Sequence, residues 1–212
     1  VWMDLRNGNR DIYLYDLTEQ MPHAIVTDPS WQIRPVISGD TIAWEDWRTN
    51  NRDIYFCRYD PATGACPEQR LTTHANEQVW PAIHGDRIAW LDKRNGTWDV
   101  YVYNLSTGFE ERVATAAPGT FGAPNFWPPV AIYGDTIAWR GYQNGRWDVF
   151  VAVRTPAAGT WSQQQLTNDS AEQLGPSVWG STVVWQDDRN GNWDVYLYDL
   201  TTAMERQLSP RL

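Results

Sequence analysis

Ser181-Thr182-Val183-Val184-Trp185-Gln186-Asp187-Asp188-Arg189-Asn190-Gly191-Asn192-Trp193-Asp194-Val195-Tyr196-Leu197-Tyr198-Asp199-Leu200 is the stretch whose reading decides the fold. An apolar run closes on a tryptophan, an Asn-Gly pair turns the chain, and Asp-Val-Tyr opens a second alternating run. Asn-Gly between two such runs is a strong hairpin signal. The chain spells this hairpin five times, with tryptophans at Trp2, Trp44, Trp90, Trp139 and Trp185 and second-strand aspartates at Asp11, Asp53, Asp99, Asp148 and Asp194. Both series advance by 42, 46, 49 and 46 residues. Two markers that keep one period across the whole chain define a repeat array, and periods of this size belong to propellers and related architectures.

Outward from the hairpin, each unit gains a strand on either side. In the second unit Pro35-Val36-Ile37-Ser38 reads as a first strand, Gly39-Asp40 as a tight turn, and Thr41 to Asp46 as the second strand. Asp53 to Tyr59 is the third and Glu68 to Thr72 the fourth. Four short antiparallel strands per unit, with no helical pattern, predict an all-β protein: a single β-propeller domain over residues 1–212 with five recognisable four-stranded blades. The expected blades are 1–34, 35–80, 81–127, 128–175 and 176–212. The fourth departs furthest, with Gly141 in place of the usual Asp and Gln143 in place of the usual Arg. A long Pro-, Gly- and aromatic-rich excursion, carrying Phe121 and Phe126, precedes it. Blade one lacks the Pro-to-Gly-Asp segment, so its innermost strand is expected from residues upstream of Val1, from the tail after Leu208, or from a neighbouring molecule. Val1 opens inside a strand pattern, which points to a processed or trimmed chain.

The wording of the units, a Gly-Asp turn, I-A-W or V-V-W, D-x-R-N-G and D-I-Y-x-Y-D-L, resembles the propeller repeats of TolB and its relatives. It is especially similar to variants found in bacterial and archaeal cell-surface proteins, and the resemblance covers essentially the whole chain. It implies the propeller fold. For function it implies only a range: binding scaffolds, surface-layer components and domains attached to hydrolases. The sialidase Asp-box spacing and the G-H and W-D signatures of WD-type repeats are not met.

Seventeen Lys and Arg stand against 26 Asp and Glu, a net charge of −9, which opposes a nucleic-acid backbone or an anionic membrane surface as general partners. No apolar run approaches the roughly 18 residues of a spanning helix. Cys57 and Cys66 flank Asp60-Pro61-Ala62-Thr63-Gly64, a turn sequence. A hairpin about that turn sets them opposite each other, so a cross-strand disulfide and an oxidising, extracellular or periplasmic location are expected. The alternative is two unpaired thiols.

Strand geometry gathers the second-to-third-strand turns and the blade-to-blade crossings at one end of the array. Trp47, Trp98, Trp147 and Trp193 come from the turns, Trp31, Trp80 and Trp127 from the crossings, with Arg6, Arg48, Arg94 and Arg189 beside them. Trp and Arg are over-used in binding surfaces, so this face is the expected contact for a glycan or a surface protein. The competing reading gives these residues to the repeat itself: each tryptophan before a blade-opening Pro wedges between blades, and each turn Arg bonds its own turn's Asp. On the binding reading the Asn-Gly turns do not need Trp98, Trp147 or Trp193 to fold. Trp44, Trp90, Trp139 and Trp185, mid-strand beside Ile or Val, are expected to pack.

D-x-R-N-G invites a calcium reading, but Arg stands where an oxygen ligand is wanted. Three scattered histidines, His23, His74 and His84, and no G-x-S-x-G elbow leave no convincing catalytic set. The expectation is therefore a binding module with no cofactor and no enzymatic activity. A surface-layer or filament subunit assembling through the edge of blade one, and a polysaccharide-active enzyme domain, are the alternatives.

Overall fold

A computed structural model describes residues 1–114, 129–143, 145–155, 157 and 159–209. Trp127, Phe121 and Phe126 lie outside them. The described residues form nineteen strands and no helix, and hence no helix long and apolar enough to cross a membrane. The strands group into five antiparallel sheets in chain order. The first sheet holds β1 (Trp2–Asp4), β2 (Asp11–Asp16) and β3 (Met21–Val26). The second holds β4 (Gln32–Ser38), β5 (Thr41–Asp46), β6 (Asp53–Arg58) and β7 (Gln69–Arg70), and the third β8 (Gln78–His84), β9 (Arg87–Asp92), β10 (Asp99–Asn104) and β11 (Phe109–Ala114). The fourth holds β12 (Val130–Tyr133), β13 (Thr136–Gln143), β14 (Arg146–Thr155) and β15 (Thr160–Gln165), and the fifth β16 (Gln173–Trp179), β17 (Thr182–Asp187), β18 (Asp194–Asp199) and β19 (Met204–Gln207). Among the described residues β1 pairs with β2 alone, so the first sheet has three strands where the others have four.

Period-two alternation gives each strand two apolar faces, and each face meets a neighbouring sheet. The core is accordingly four clusters, one at each junction of successive sheets. Ile12, Leu14, Ile25 and Val26 of the first sheet meet Ile42, Trp44, Tyr55 and Cys57 of the second. Ala43, Ile54 and Phe56 meet Ile88, Trp90 and Tyr101. Val100 and Val102 meet Val130, Ile137 and Trp139, and Val149 and Val151 meet Val183, Trp185 and Tyr196. Trp44, Trp90, Trp139 and Trp185 are buried, as their mid-strand setting requires. The indole of Trp44 stacks on Tyr55 across the pair, as Trp90 does on Tyr101 and Trp185 on Tyr196.

The inner strands begin three residues before the expected Pro35, Pro81 and Pro176. Proline has no N–H for the ladder, which argues for a start after it. The chain accommodates it with a bulge instead: register shifts between Ile33 and Val36, Val79 and Ala82, and Leu174 and Ser177. Arg34, Trp80 and Gly175, each just before the proline, take φ of 54°, 57° and 57°. Gln32, Gln78 and Gln173 open these strands fully buried. Gln32 Nε2 donates to the Ser30 carbonyl and Gln173 Nε2 to Asp169 Oδ1, each at 2.9 Å, which fastens the crossing loop to the sheet.

Cys57 and Cys66 are bonded, with Cα atoms 5.3 Å apart. Cys57 is buried at the first junction, so the link ties the third strand of sheet two to the loop that leaves it. Closing so short a loop contributes about 2–3 kcal/mol in the chain-entropy account. Reduction under native conditions should therefore lower the unfolding midpoint by several degrees, read by circular dichroism with and without reductant. A midpoint that does not move would mean that packing alone holds this loop.

Candidate functional site

The repeat's polar signature is one network built several times. Trp2, Trp44, Trp90 and Trp185 each donate Nε1–H to the aspartate two residues on, at 2.8, 3.1, 2.9 and 2.9 Å. The same carboxylates, on Asp4, Asp46, Asp92 and Asp187, accept from Arg6, Arg48, Arg94 and Arg189. Each guanidinium then lies over a strand tyrosine, 4.2 Å from Tyr13, 4.6 Å from Tyr55 and 4.2 Å from Tyr101 and Tyr196. The Arg6 hydrogen bonds hold the Asp4 carboxyl far below the usual carboxylate range. Burial of Asp187 opposes its charge, yet bonds from Arg189 and Trp185 outweigh that and keep its pKa below the ordinary value. The turn asparagines serve the same scaffold: Asn95 Nδ2 donates to Asp99 and to the Tyr101 hydroxyl, as Asn7 and Asn190 do in their own units.

Arg48, Arg94 and Arg189 are thus engaged within their own turns, each with a further carboxylate in or just before the fourth strand (Glu68, Glu110 and Glu205). This is the geometry of the repeat-serving reading. The fourth unit lacks the three residues of the network together. Gly141 replaces the Asp, Gln143 the Arg and Phe150 the Tyr, and a Cβ on Gly141 would lie 2.8 Å from the Phe150 ring. An apolar ring fills the space that the polar triad occupies elsewhere.

The tryptophans divide. Trp98 is buried in the third junction, against the expectation that its turn does not need the indole; the fourth sheet covers it. Trp147 packs partly against the same cluster, edge-on to Tyr142 at 5.1 Å and under Arg140 at 4.7 Å. Trp193 occupies the corresponding place in the fifth sheet and is half exposed. Trp31 and Trp47 come together at the crossing from the first sheet to the second, while Trp80 packs against the third-junction cluster. Trp31 and Trp47 stand edge to face at 5.9 Å, exposed to 47% and 38%.

Three arginines that sequence reasoning did not single out complete this corner. Arg10 lies 4.4 Å over Trp31, Arg52 5.7 Å from Trp47 and Arg34 3.9 Å over Trp80. Arg34 is bound by the fully buried Glu45, whose carboxylate also accepts the Trp80 backbone N–H at 2.7 Å. Burial pushes the Glu45 carboxyl up despite that arginine. Arg52 pairs with Glu77 at 2.8 Å. Arg10 has no carboxylate partner among the described residues, and with Arg34 it borders a cavity of about 400 Å³ also lined by Met3, Ile33 and Pro35. The one available signal was negative: Arg10 and Arg52 stand just before their strand aspartates, where later units carry tryptophan.

A second cavity, of about 410 Å³, follows the inner strands and is lined by Val36, Ile37, Ile83, Ile132 and their neighbours, with no titratable side chain among the described lining residues. The histidines lie apart: His23 pairs with Glu19 at 2.9 Å, while His84 Nδ1 accepts the Gly134 N–H at 3.0 Å. No group of three His, Cys, Asp or Glu among the described residues could hold a metal ion.

No family profile matches the sequence, and no curated protein does. Solved structures match its shape. TolB from Acinetobacter baumannii superposes with a TM-score of 0.67 at 17% identity, over 95% of this chain and 49% of that one. The putative TolB from Agrobacterium tumefaciens gives 0.64 at 17% identity, over 89% and 69%. A puromycin-hydrolyzing peptidase from Mycobacterium tuberculosis gives 0.63 at 17% identity, over 88% of this chain but 30% of its own. The chain therefore spans about half the length of the first of these and under a third of the peptidase. The sequence repeat, the five antiparallel sheets and these superpositions converge on one fold: the chain has a β-propeller fold similar to that of TolB.

Proposed function

We propose that this propeller is a non-catalytic binding module that meets a partner protein through the corner of Arg10, Trp31, Trp47 and Arg52. The observation that carries the reading is the pairing of exposed indoles with arginines at a place where the repeat does not require them. Arg and Trp carry most of the binding energy of many protein interfaces. A glycan is the weaker fit at this corner. A sugar ring stacks on an open indole face, and Arg10 lies over the Trp31 ring. Arg10, free of any carboxylate partner among the described residues, suits an acidic group on the partner. The apolar lining of the cavity along the inner strands and the dispersed histidines support a module without catalysis. The disulfide and the TolB-like fold favour the periplasm or the cell exterior.

The test is binding of the pure protein to cell-envelope preparations. A Trp31→Ala/Trp47→Ala variant should bind roughly thirtyfold more weakly, the equivalent of one interface hot spot of about 2 kcal/mol. Protease treatment of the envelope should abolish the signal, and periodate should spare it. The reverse pattern would establish a glycan ligand, and undiminished binding by the double variant would remove this corner from the interface.

A further inference from the structure

The residue after each repeat tryptophan differs from unit to unit: Met3, Glu45, Leu91, Arg140 and Gln186. Leu91 packs in the third junction, and Glu45 reaches across the second to accept the Trp80 backbone N–H at 2.7 Å. Glu45 is a buried charge with its counter-charge built in, because Arg34 donates to both carboxylate oxygens at 2.9 and 3.0 Å.

Arg140 puts the opposite charge at the same place in the fourth unit, and there the fold builds in no counter-charge. The residue is 6% exposed, and its Nε is buried without a hydrogen-bond partner. Among the described residues no side-chain hydrogen bond and no ion pair reaches the guanidinium, and the sequence of residues 115–128 holds neither Asp nor Glu. The carboxylate of Glu172 attracts Arg140 from a distance but is engaged with the Trp147 backbone N–H, 3.2 Å away. The Trp147 ring covers one face of the guanidinium at 4.7 Å. Burial pulls the Arg140 pKa below the ordinary arginine value, whereas Arg48 and Arg189, bonded to Asp46 and Asp187, are held above it. A charge buried without an opposite charge or hydrogen bonds is costly to the fold.

We infer that Arg140 anchors a site for a carboxylate group, entered from the cavity along the inner strands. That cavity is lined by Val130, whose neighbour Pro129 accepts the Arg140 backbone N–H at 2.9 Å, and by Gly175 of the fifth sheet. Gly175 stands where the third sheet carries Trp80, the residue that Glu45 meets, and it has no side chain to close the way. With one face under Trp147, the guanidinium offers its N–H fork edge-on, the geometry that takes a planar carboxylate bidentately. Glu172 disfavours a dianion, which sets the ligand apart from phosphate. The site shares no residue with the corner of Arg10, Trp31 and Trp47.

The experiment is thermal unfolding of the 212-residue chain in sodium acetate, phosphate or chloride at equal pH and ionic strength. Two variants run beside it: Arg140→Met, which keeps an apolar stem against Trp147, and Arg140→Leu, which installs the residue of the third unit. General salt effects act on all three proteins, so the readout is the difference between wild type and variants. Acetate should raise the wild-type midpoint more than theirs, since a ligand bound only by the folded chain stabilises it, and phosphate should raise all three alike. By titration the variants should bind acetate at least about tenfold more weakly. In chloride at least one of them should unfold no earlier than the wild type, because the change removes a buried charge that no group of the fold satisfies. Arg58→Met, at an exposed ion pair, and the Trp31→Ala/Trp47→Ala variant should keep the acetate shift. N-acetyl-dialanine and its C-terminal amide identify the source of the carboxylate. Binding tighter than acetate that is lost in the amide assigns a peptide C-terminus, and no binding of either peptide assigns a small free acid. Equal acetate shifts in wild type and variants, a phosphate difference as large as the acetate one, or earlier unfolding of both variants in chloride would each overturn the inference.

Discussion

Trp90→Ala should be the most damaging single change in the chain. Trp90 is completely buried at the second junction, stacked on Tyr101, and its Nε1–H is satisfied by Asp92 at 2.9 Å. Truncation removes that area, opens a cavity between two sheets and strands a buried acceptor. Large-to-small changes of this type cost about 3–5 kcal/mol, a sizeable share of the roughly 5–15 kcal/mol that holds a domain together. For a chain of this size the midpoint should fall by on the order of 10 °C. Trp31→Ala, at a half-exposed position, should shift it by no more than about 0.5 kcal/mol. Chemical denaturation of the two variants in parallel measures the contrast. Equal losses would mean that the tryptophan core is not organised as four inter-sheet clusters.

Asp92→Ala should come next. The carboxylate is fully buried and accepts from the Trp90 indole, the Arg94 backbone N–H at 2.9 Å and Arg94 Nη2 at 2.6 Å. Its loss leaves those donors without their acceptor. Removing one partner of a buried pair costs more than the pair contributes net, because the other charge stays desolvated. Arg94 keeps Glu110 at 2.6 Å and part of its side chain reaches solvent, which sets the expected loss at about 2–4 kcal/mol. In a cycle with Arg94→Ala the double variant should lose less than the sum of the two single losses. Additive losses would show that arginine and aspartate act separately. The fourth unit has already made the corresponding replacement as a set, with Gly141, Gln143 and Phe150, which is why it can do without the ion pair.

The sequence by itself determined the period, the strands, the buried tryptophans and the pairing of Cys57 with Cys66. These follow from local causes: the two-residue alternation of side chains along a strand, the Asn-Gly turn, and a hairpin short enough to place two cysteines opposite each other. It also held both outcomes for the turn arginines, and the structure chose the one in which each bonds its own aspartate. The inner strands escaped by three residues, because a left-handed residue and a bulge carry the ladder past a proline that would otherwise end it. Only the tertiary structure decided which tryptophans are exposed. Trp98 and Trp193 sit in nearly identical sequence, yet one is buried and the other half open. Alternation along a strand says which way a side chain points, but whether it meets water depends on whether another sheet lies against that face, and the residue's neighbours in sequence carry no record of that. The same reason hid the place of Arg10 beside Trp31 and Trp47, the two tryptophans that the sequence had already put at one end of the array: they come from separate segments that become neighbours only when the sheets pack.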